Sequence, residues 1–144
     1  MKILFDTSVL VAGIVERHPM HESAFPWLKG ANAGQFEFIV SAHSLAELYA
    51  VLTTLPLSPK IAPGTAWRLI REDVQSRAKV IPLSPTDYGS VIRRMAELGL
   101  SGGAVYDAII AKAPEKAGID HILTLNPDDF KRVWPEGEAL IRLP

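Results

Sequence analysis

The chain has 144 residues, with 15 Lys and Arg against 16 Asp and Glu, no Cys, and 48% hydrophobic residues. That length fits one domain spanning residues 1–144, able to bury enough apolar surface to fold without a metal or a disulfide, which excludes disordered, collagen-like and disulfide-stapled proteins. A net charge of −1 excludes a general coat for nucleic acid, and zero Cys excludes thiolate zinc sites and a Cys nucleophile.

The apolar pattern switches between short runs and helical periods along the chain. Ile3–Phe5 reads as a buried strand. Met1–Phe5 imitates the start of a leader peptide, but Asp6 interrupts it and no small-x-small cleavage site follows, so the mature chain is expected to begin at Met1. Thr7–Val15 and His21–Ala33 read as helices, and Phe36–Val40 as a second strand. Ser41 is placed to cap a helix over His43–Leu55, whose Leu45, Leu48, Tyr49 and Leu52 recur at helical spacing. Pro56, Pro59 and Pro63 stiffen the next connection. Thr65–Arg77 reads as an amphipathic helix and Val80–Leu83 as a third strand. Pro85 suits the first position of a helix running to Leu98. Gly102-Gly103 precedes a helix over Ala104–Ala113, which Pro114 is expected to kink or end. His121–Thr124 reads as a fourth strand, Asn126–Val133 as a short turn or helix, and Ala139–Leu143 as a fifth strand. No apolar run approaches the roughly 18 residues of a membrane span, and a cytoplasmic location is expected.

Strands alternating with helices predict an α/β fold, a parallel sheet covered on both faces. Ligands of such sheets sit beyond the carboxyl ends of the strands. Three acids fall near those ends in otherwise uncharged stretches: Asp6 within Ile3–Val15, Glu47 within Phe38–Pro59, and Asp107 within Leu98–Ala111. A carboxylate in apolar surroundings is costly unless a cation or hydrogen bonds compensate it. No Lys or Arg lies in those stretches. Asp6 can alternatively serve as a helix N-cap, and Asp107 as a first-turn acid favoured by the helix dipole. Taken together, the three predict one shared site for Mg²⁺ or Mn²⁺, hard cations that take oxygen ligands, with a phosphate ester as substrate. Thr124-Leu125-Asn126-Pro127-Asp128-Asp129-Phe130 adds oxygen ligands at a fourth strand end, though Asn-Pro followed by Asp is also ordinary turn chemistry.

Asp6-Thr7-Ser8, Leu45-Ala46-Glu47-Leu48, Val105-Tyr106-Asp107-Ala108 and Thr124-x-Asn126-x-x-Asp129-Phe130, in this order over nearly the whole chain, resemble the PIN-domain family, and within it VapC-type toxins. The resemblance implies a three-layer α/β/α sandwich with about five parallel strands. It implies a Mg²⁺- or Mn²⁺-dependent endoribonuclease acting on RNA, the toxin of a toxin–antitoxin pair. Asp6, Glu47 and Asp107 match the family's metal-holding acids. The fourth acidic position falls on Asn126, on Asp129, or on both, because Asn126 stands where many relatives have Asp. Thr7 and Ser8 match the small polar residues beside the first Asp. A homodimer and a VapB-type antitoxin partner are implied as well.

His43 lies four residues before Glu47, so one helical face can carry both. His18, His21 and His121 read as structural or solvated. Arg68, Arg71, Arg77, Arg93-Arg94 and Lys131-Arg132 read as wet helix faces, although each can meet RNA phosphates. Trp27 and Trp67 read as core or interface. Two other readings compete. A HAD-type phosphatase would use Asp6 as nucleophile, but it wants a second Asp where Ser8 stands. A catalytically weak, protein-binding PIN-like module would normally lack one of the three acids.

Overall fold

The computed structural model describes residues 1–144. Five strands form one parallel sheet: β1 (Lys2–Phe5), β2 (Glu37–Ser41), β3 (Lys79–Ile81), β4 (His121–Leu123) and β5 (Ile141–Arg142), in the order β3-β2-β1-β4-β5. β1 is central, with Ile3 opposite Phe38 on one side and His121 on the other. Burial on both faces explains why Ile3, Leu4 and Phe5 are all apolar and fully buried, with no polar alternation.

The two faces carry separate cores. Ile3, Phe5, Phe38, Val40 and Leu123 pack under α1 (Thr7–Ile14), α2 (His21–Asn32), α3 (Ala42–Thr54) and α4 (Pro63–Leu69). Leu4, Ile39, Ile81, Ile122 and Ile141 pack under α5 (Pro85–Leu98), α6 (Ala104–Ala117) and α7 (Pro127–Val133). This is the expected α/β architecture, helices on both sides of a parallel sheet. No helix is long and apolar enough to cross a membrane.

Several boundaries differ from the sequence reading, each for a local reason. Pro63 takes the first turn of α4, two residues ahead of the expected start, where its missing N–H costs nothing. The expected single helix to Arg77 instead widens into a π-helical segment, Ile70–Gln75, in which the Ser76 N–H reaches back five residues to the Arg71 carbonyl at 3.0 Å. Pro82 cannot donate to a ladder, so β3 stops at Ile81. Pro114 neither ends nor breaks α6, which runs on to Ala117. The proline is buried in the last turn, and Gly118, left-handed at φ 64°, closes the helix by donating to the Pro114 carbonyl at 2.9 Å. Pro135–Leu140 forms a 3₁₀ turn, which shortens the fifth strand to Ile141–Arg142.

Candidate active site

The chain leaves β1 toward one face of the sheet and leaves β4 toward the other, so the topological switch point lies between these neighbours. Asp6 and Thr124 are the first residues beyond the two strands. The Asp6 N–H donates to the Leu123 carbonyl at 2.9 Å, extending the ladder by one step.

Asp6 is buried, and two hydroxyls hold one of its oxygens. Ser8 Oγ donates to Asp6 Oδ2 at 2.6 Å, and Thr124 Oγ1 donates to the same atom at 2.9 Å. Each hydroxyl is fixed in turn by a backbone amide: Leu125 N–H donates to Ser8 Oγ and Asn126 N–H to Thr124 Oγ1, both at 3.0 Å. The α1 start and the β4–α7 connection are thereby tied through a single carboxylate. Burial still pushes the Asp6 carboxyl up, against these hydrogen bonds, and the Glu47 charge adds to the rise. Asp6 caps α1 by position but makes no side-chain capping bond, so the N-cap reading does not account for it.

Glu47 lies on α3 and Asp107 in the first turn of α6, both half-buried. Burial, and after it the charges of Asp6, Asp129 and Glu47, push the Asp107 carboxyl up to about 6, with Arg132 opposing the rise. The structure therefore brings Asp107 within electrostatic reach of Asp6, Glu47 and Asp129, and Asp6 within reach of Glu47. No Lys or Arg forms an ion pair with Asp6, Glu47 or Asp107. Asp129 is exposed and has Arg132 at 3.7 Å. No three His, Asp or Glu side chains are drawn together tightly enough to enclose an ion. The donor set nonetheless suits Mg²⁺ or Mn²⁺, because Mg²⁺ is commonly held by one or two carboxylates and completes its shell with water.

Of the remaining candidates, Ser8 holds Asp6 directly, whereas Thr7 Oγ1 is buried without a partner. Asn126 is exposed and is tied to the site through its backbone. His43 Nε2 lies 3.2 Å from Glu47 Oε2, as the four-residue spacing predicts. Its ring lies parallel to Tyr106, with centroids 5.5 Å apart and planes 2° apart. Sequence reasoning did not single out Thr124 and Tyr106 as site residues. Thr124 stood in view as the last residue of a strand, but its role depends on β4 lying beside β1. Tyr106 stands in the sequence only as the neighbour of Asp107 in a motif, and its partner His43 lies 63 positions away.

The other candidates take structural places. His21 Nδ1 is 2.8 Å from the Ala12 carbonyl, and His18 Nδ1 accepts from the Met20 N–H at 3.0 Å. Arg93, Arg94 and Lys131 pair with Glu97, Glu136 and Glu138 on exposed faces. Trp27 and Trp134 pack against the two cores. Trp67 is 58% exposed, with the Arg71 guanidinium 4.4 Å from its ring centroid. Two clefts, one along α5 and α6 and one along α1 and α2, contain none of the four acids.

Comparison with known proteins bears on the family and the fold. A PIN-domain family model matches residues 3–134. Ribonuclease VapC27 of Mycobacterium tuberculosis is 36% identical over 108 residues, covering 75% of this chain and 73% of that protein. Ribonuclease VapC40 of the same species is 36% identical over 113 residues, 78% of each. Among solved structures, VapBC2 from Rickettsia felis, crystallised with a DNA fragment from its promoter, matches all of this chain and 99% of its own, with a TM-score of 0.66 at 20% identity. The Mycobacterium tuberculosis VapC20 toxin has the same TM-score at 16% identity over 84% of this chain and 87% of its own. Both structures share the fold. With a family model spanning most of its length and two close VapC relatives, the chain belongs to the PIN-domain family, in its VapC branch.

Proposed function

We propose that the protein is a divalent-metal-dependent endoribonuclease and the toxin of a toxin–antitoxin pair. The observation that carries this reading is Asp6, a buried carboxylate held by Ser8 and Thr124 at the switch point with no Lys or Arg paired to it. Asp6, Glu47 and Asp107 have no Lys or Arg paired to them, and burial together with the neighbouring acids raises the Asp107 carboxyl to about 6. Carboxyls raised in this way cluster at functional sites. The relatives named VapC27 and VapC40 are ribonucleases, which agrees with an RNA phosphodiester as the substrate.

In this reading Asp6, Glu47 and Asp107 hold the ion and Asp129 assists, with Asn126 as the other candidate for the fourth position. When bound, Mg²⁺ or Mn²⁺ supplies positive charge that offsets the acids and the phosphate and promotes attack by water. Ser8 and Thr124 keep Asp6 in one orientation, so its free oxygen needs no reorganisation when the substrate arrives. His43 restrains Glu47 on α3. The phosphatase alternative gives Ser8 no catalytic task, whereas here Ser8 has one.

A VapB-type antitoxin partner is supported by the relatives' names and by the VapBC2 complex. A homodimer is supported by the exposed Trp67 on α4 and Tyr49 on α3. A cytoplasmic location agrees with an RNA substrate.

The test is cleavage of labelled single-stranded and hairpin RNAs by the purified protein with Mn²⁺ or Mg²⁺. Cleavage is expected with either ion and none in excess EDTA. Asp6→Asn should lower the rate by roughly 10²–10³-fold, the usual cost of one electrostatic group at a reacting centre. Cleavage that survives EDTA or Asp6→Asn would overturn the metal-site reading. Intact RNA across the panel, with tight binding to a protein partner, would favour a protein-binding module.

A further inference from the structure

Tyr106 is the residue before Asp107, and 53% of its surface is open to solvent. His43 partly covers one face of its ring in an offset parallel stack, with planes 2° apart and centroids 5.5 Å apart. His43 is itself restrained by Glu47, 3.2 Å from Nε2. The aromatic pair therefore bridges α3 and α6 between two of the site's acids. Gly102, left-handed at φ 66°, turns the chain just before it. An exposed, flat ring held rigid from behind is poor economy in a core and well suited to stacking.

We propose that Tyr106, backed by His43, is the platform on which a nucleobase next to the cleaved phosphate stacks. This rests on the ribonuclease reading and adds a recognition element to it. Every base has a π face, so the platform selects unpaired, unstacked nucleotides and leaves base identity to other contacts. Both faces of a base inside a duplex are covered by its neighbours. The substrate class is thus a single-stranded segment or loop of RNA.

The experiment walks one abasic site along a single-stranded RNA that the protein cuts in Mn²⁺, using wild type, Tyr106→Leu and Tyr106→Trp. Wild type should lose roughly ten- to a hundredfold in kcat/KM when the abasic site falls at one position beside the cut, the usual weight of one stacked base. Tyr106→Leu should lose a similar factor on intact RNA, mostly in KM with kcat changed by no more than about twofold, and should no longer distinguish the abasic position. Tyr106→Trp should restore both properties. A Tyr106→Leu protein with wild-type KM and an undiminished abasic penalty would overturn the proposal.

A second arm removes the dependence on turnover. Single-stranded RNAs carrying one 2-aminopurine at each position in turn are titrated with full-length Asp6→Asn protein in Mn²⁺. Quenching that disappears in Asp6→Asn/Tyr106→Leu supports the platform, and quenching that persists, or never occurs, refutes it. Failure of wild type to cut any RNA would count against the ribonuclease reading alone, and the fluorescence arm would still decide the role of Tyr106.

Discussion

Asp6 shows how one residue links fold to chemistry. Its carboxylate is buried, which is unfavourable, and two hydroxyls from opposite sides of the switch point share one of its oxygens. Removing one donor should be felt in both stability and activity. Thr124→Val keeps the shape but deletes a hydrogen bond to a charged acceptor, at an expected cost of about 1–2 kcal/mol in urea unfolding. Cleavage should fall by roughly 10–100-fold, the usual effect of losing a group that orients a metal ligand. Unchanged cleavage would mean that Ser8 alone suffices to hold Asp6. The identity of Asp6 as an unusual acid is legible in its uncharged surroundings, because burial makes an isolated carboxylate conspicuous. Its partner Thr124 is not, since a threonine at a strand end has many ordinary uses.

At the scale of elements, the end signals decide where helices begin and stop. Ser84 and Asp87 form a capping box on α5: the Asp87 N–H donates to Ser84 Oγ, and the Ser84 N–H donates to Asp87 Oδ2. Lys116 of α6 also pairs with Asp87, so the box ties two helices together. Ser84→Ala should cost about 1 kcal/mol in chemical denaturation. The Lys116 ammonium and the Ser84 amide hold the Asp87 carboxyl down to about 2. A depressed carboxyl contributes stability above its unfolded value near 3.8, and this contribution is lost as pH falls toward 2. Asp87→Asn should therefore flatten the acid limb of the stability profile in that window. An unchanged limb would show that the pair with Lys116 is not formed in solution. Pro85 and Pro127 mark the helix starts that follow them, because proline fits the first turn wherever it occurs. Pro114 misleads because a proline forgoes only its own bond to the carbonyl four residues back, and the bonds around it carry α6 one turn further.

For the whole molecule, the clustered acids set the response to pH and to ions. Asp107 takes up a proton near 6 in the fold and near 3.8 in the unfolded chain. Between those values the folded state binds more protons, so stability falls as pH rises through the window. Asp6, also raised, acts in the same direction. The ion-free protein is thus expected to melt higher at pH 5 than at pH 7. Asp107→Asn should remove most of the difference and stabilise the protein at pH 7 by about 1–2 kcal/mol, allowing for screening by solvent. Mn²⁺ should reverse the preference, adding about 2.7 kcal/mol at pH 7 when present at roughly 100 times its dissociation constant. Thermal melts with and without EDTA check all three outcomes. A melting temperature indifferent to Mn²⁺ would argue that the acids do not hold an ion.

Taken alone, the sequence determined the class of fold, because apolar runs and helical periods are local consequences of which side chains must leave water. It also singled out Asp6, Glu47 and Asp107, since isolated carboxylates among apolar residues carry an obvious desolvation cost. Tertiary structure alone decided which groups answer that cost. Thr124 reaches Asp6 across 118 positions because β4 pairs with β1, and Tyr106 meets His43 because α6 and α3 converge beyond the same strand ends. Such pairings depend on strand order and on the faces from which helices leave the sheet. Those are properties of the packed whole, set by the burial of two apolar sheet faces at once, and no local stretch of residues encodes them.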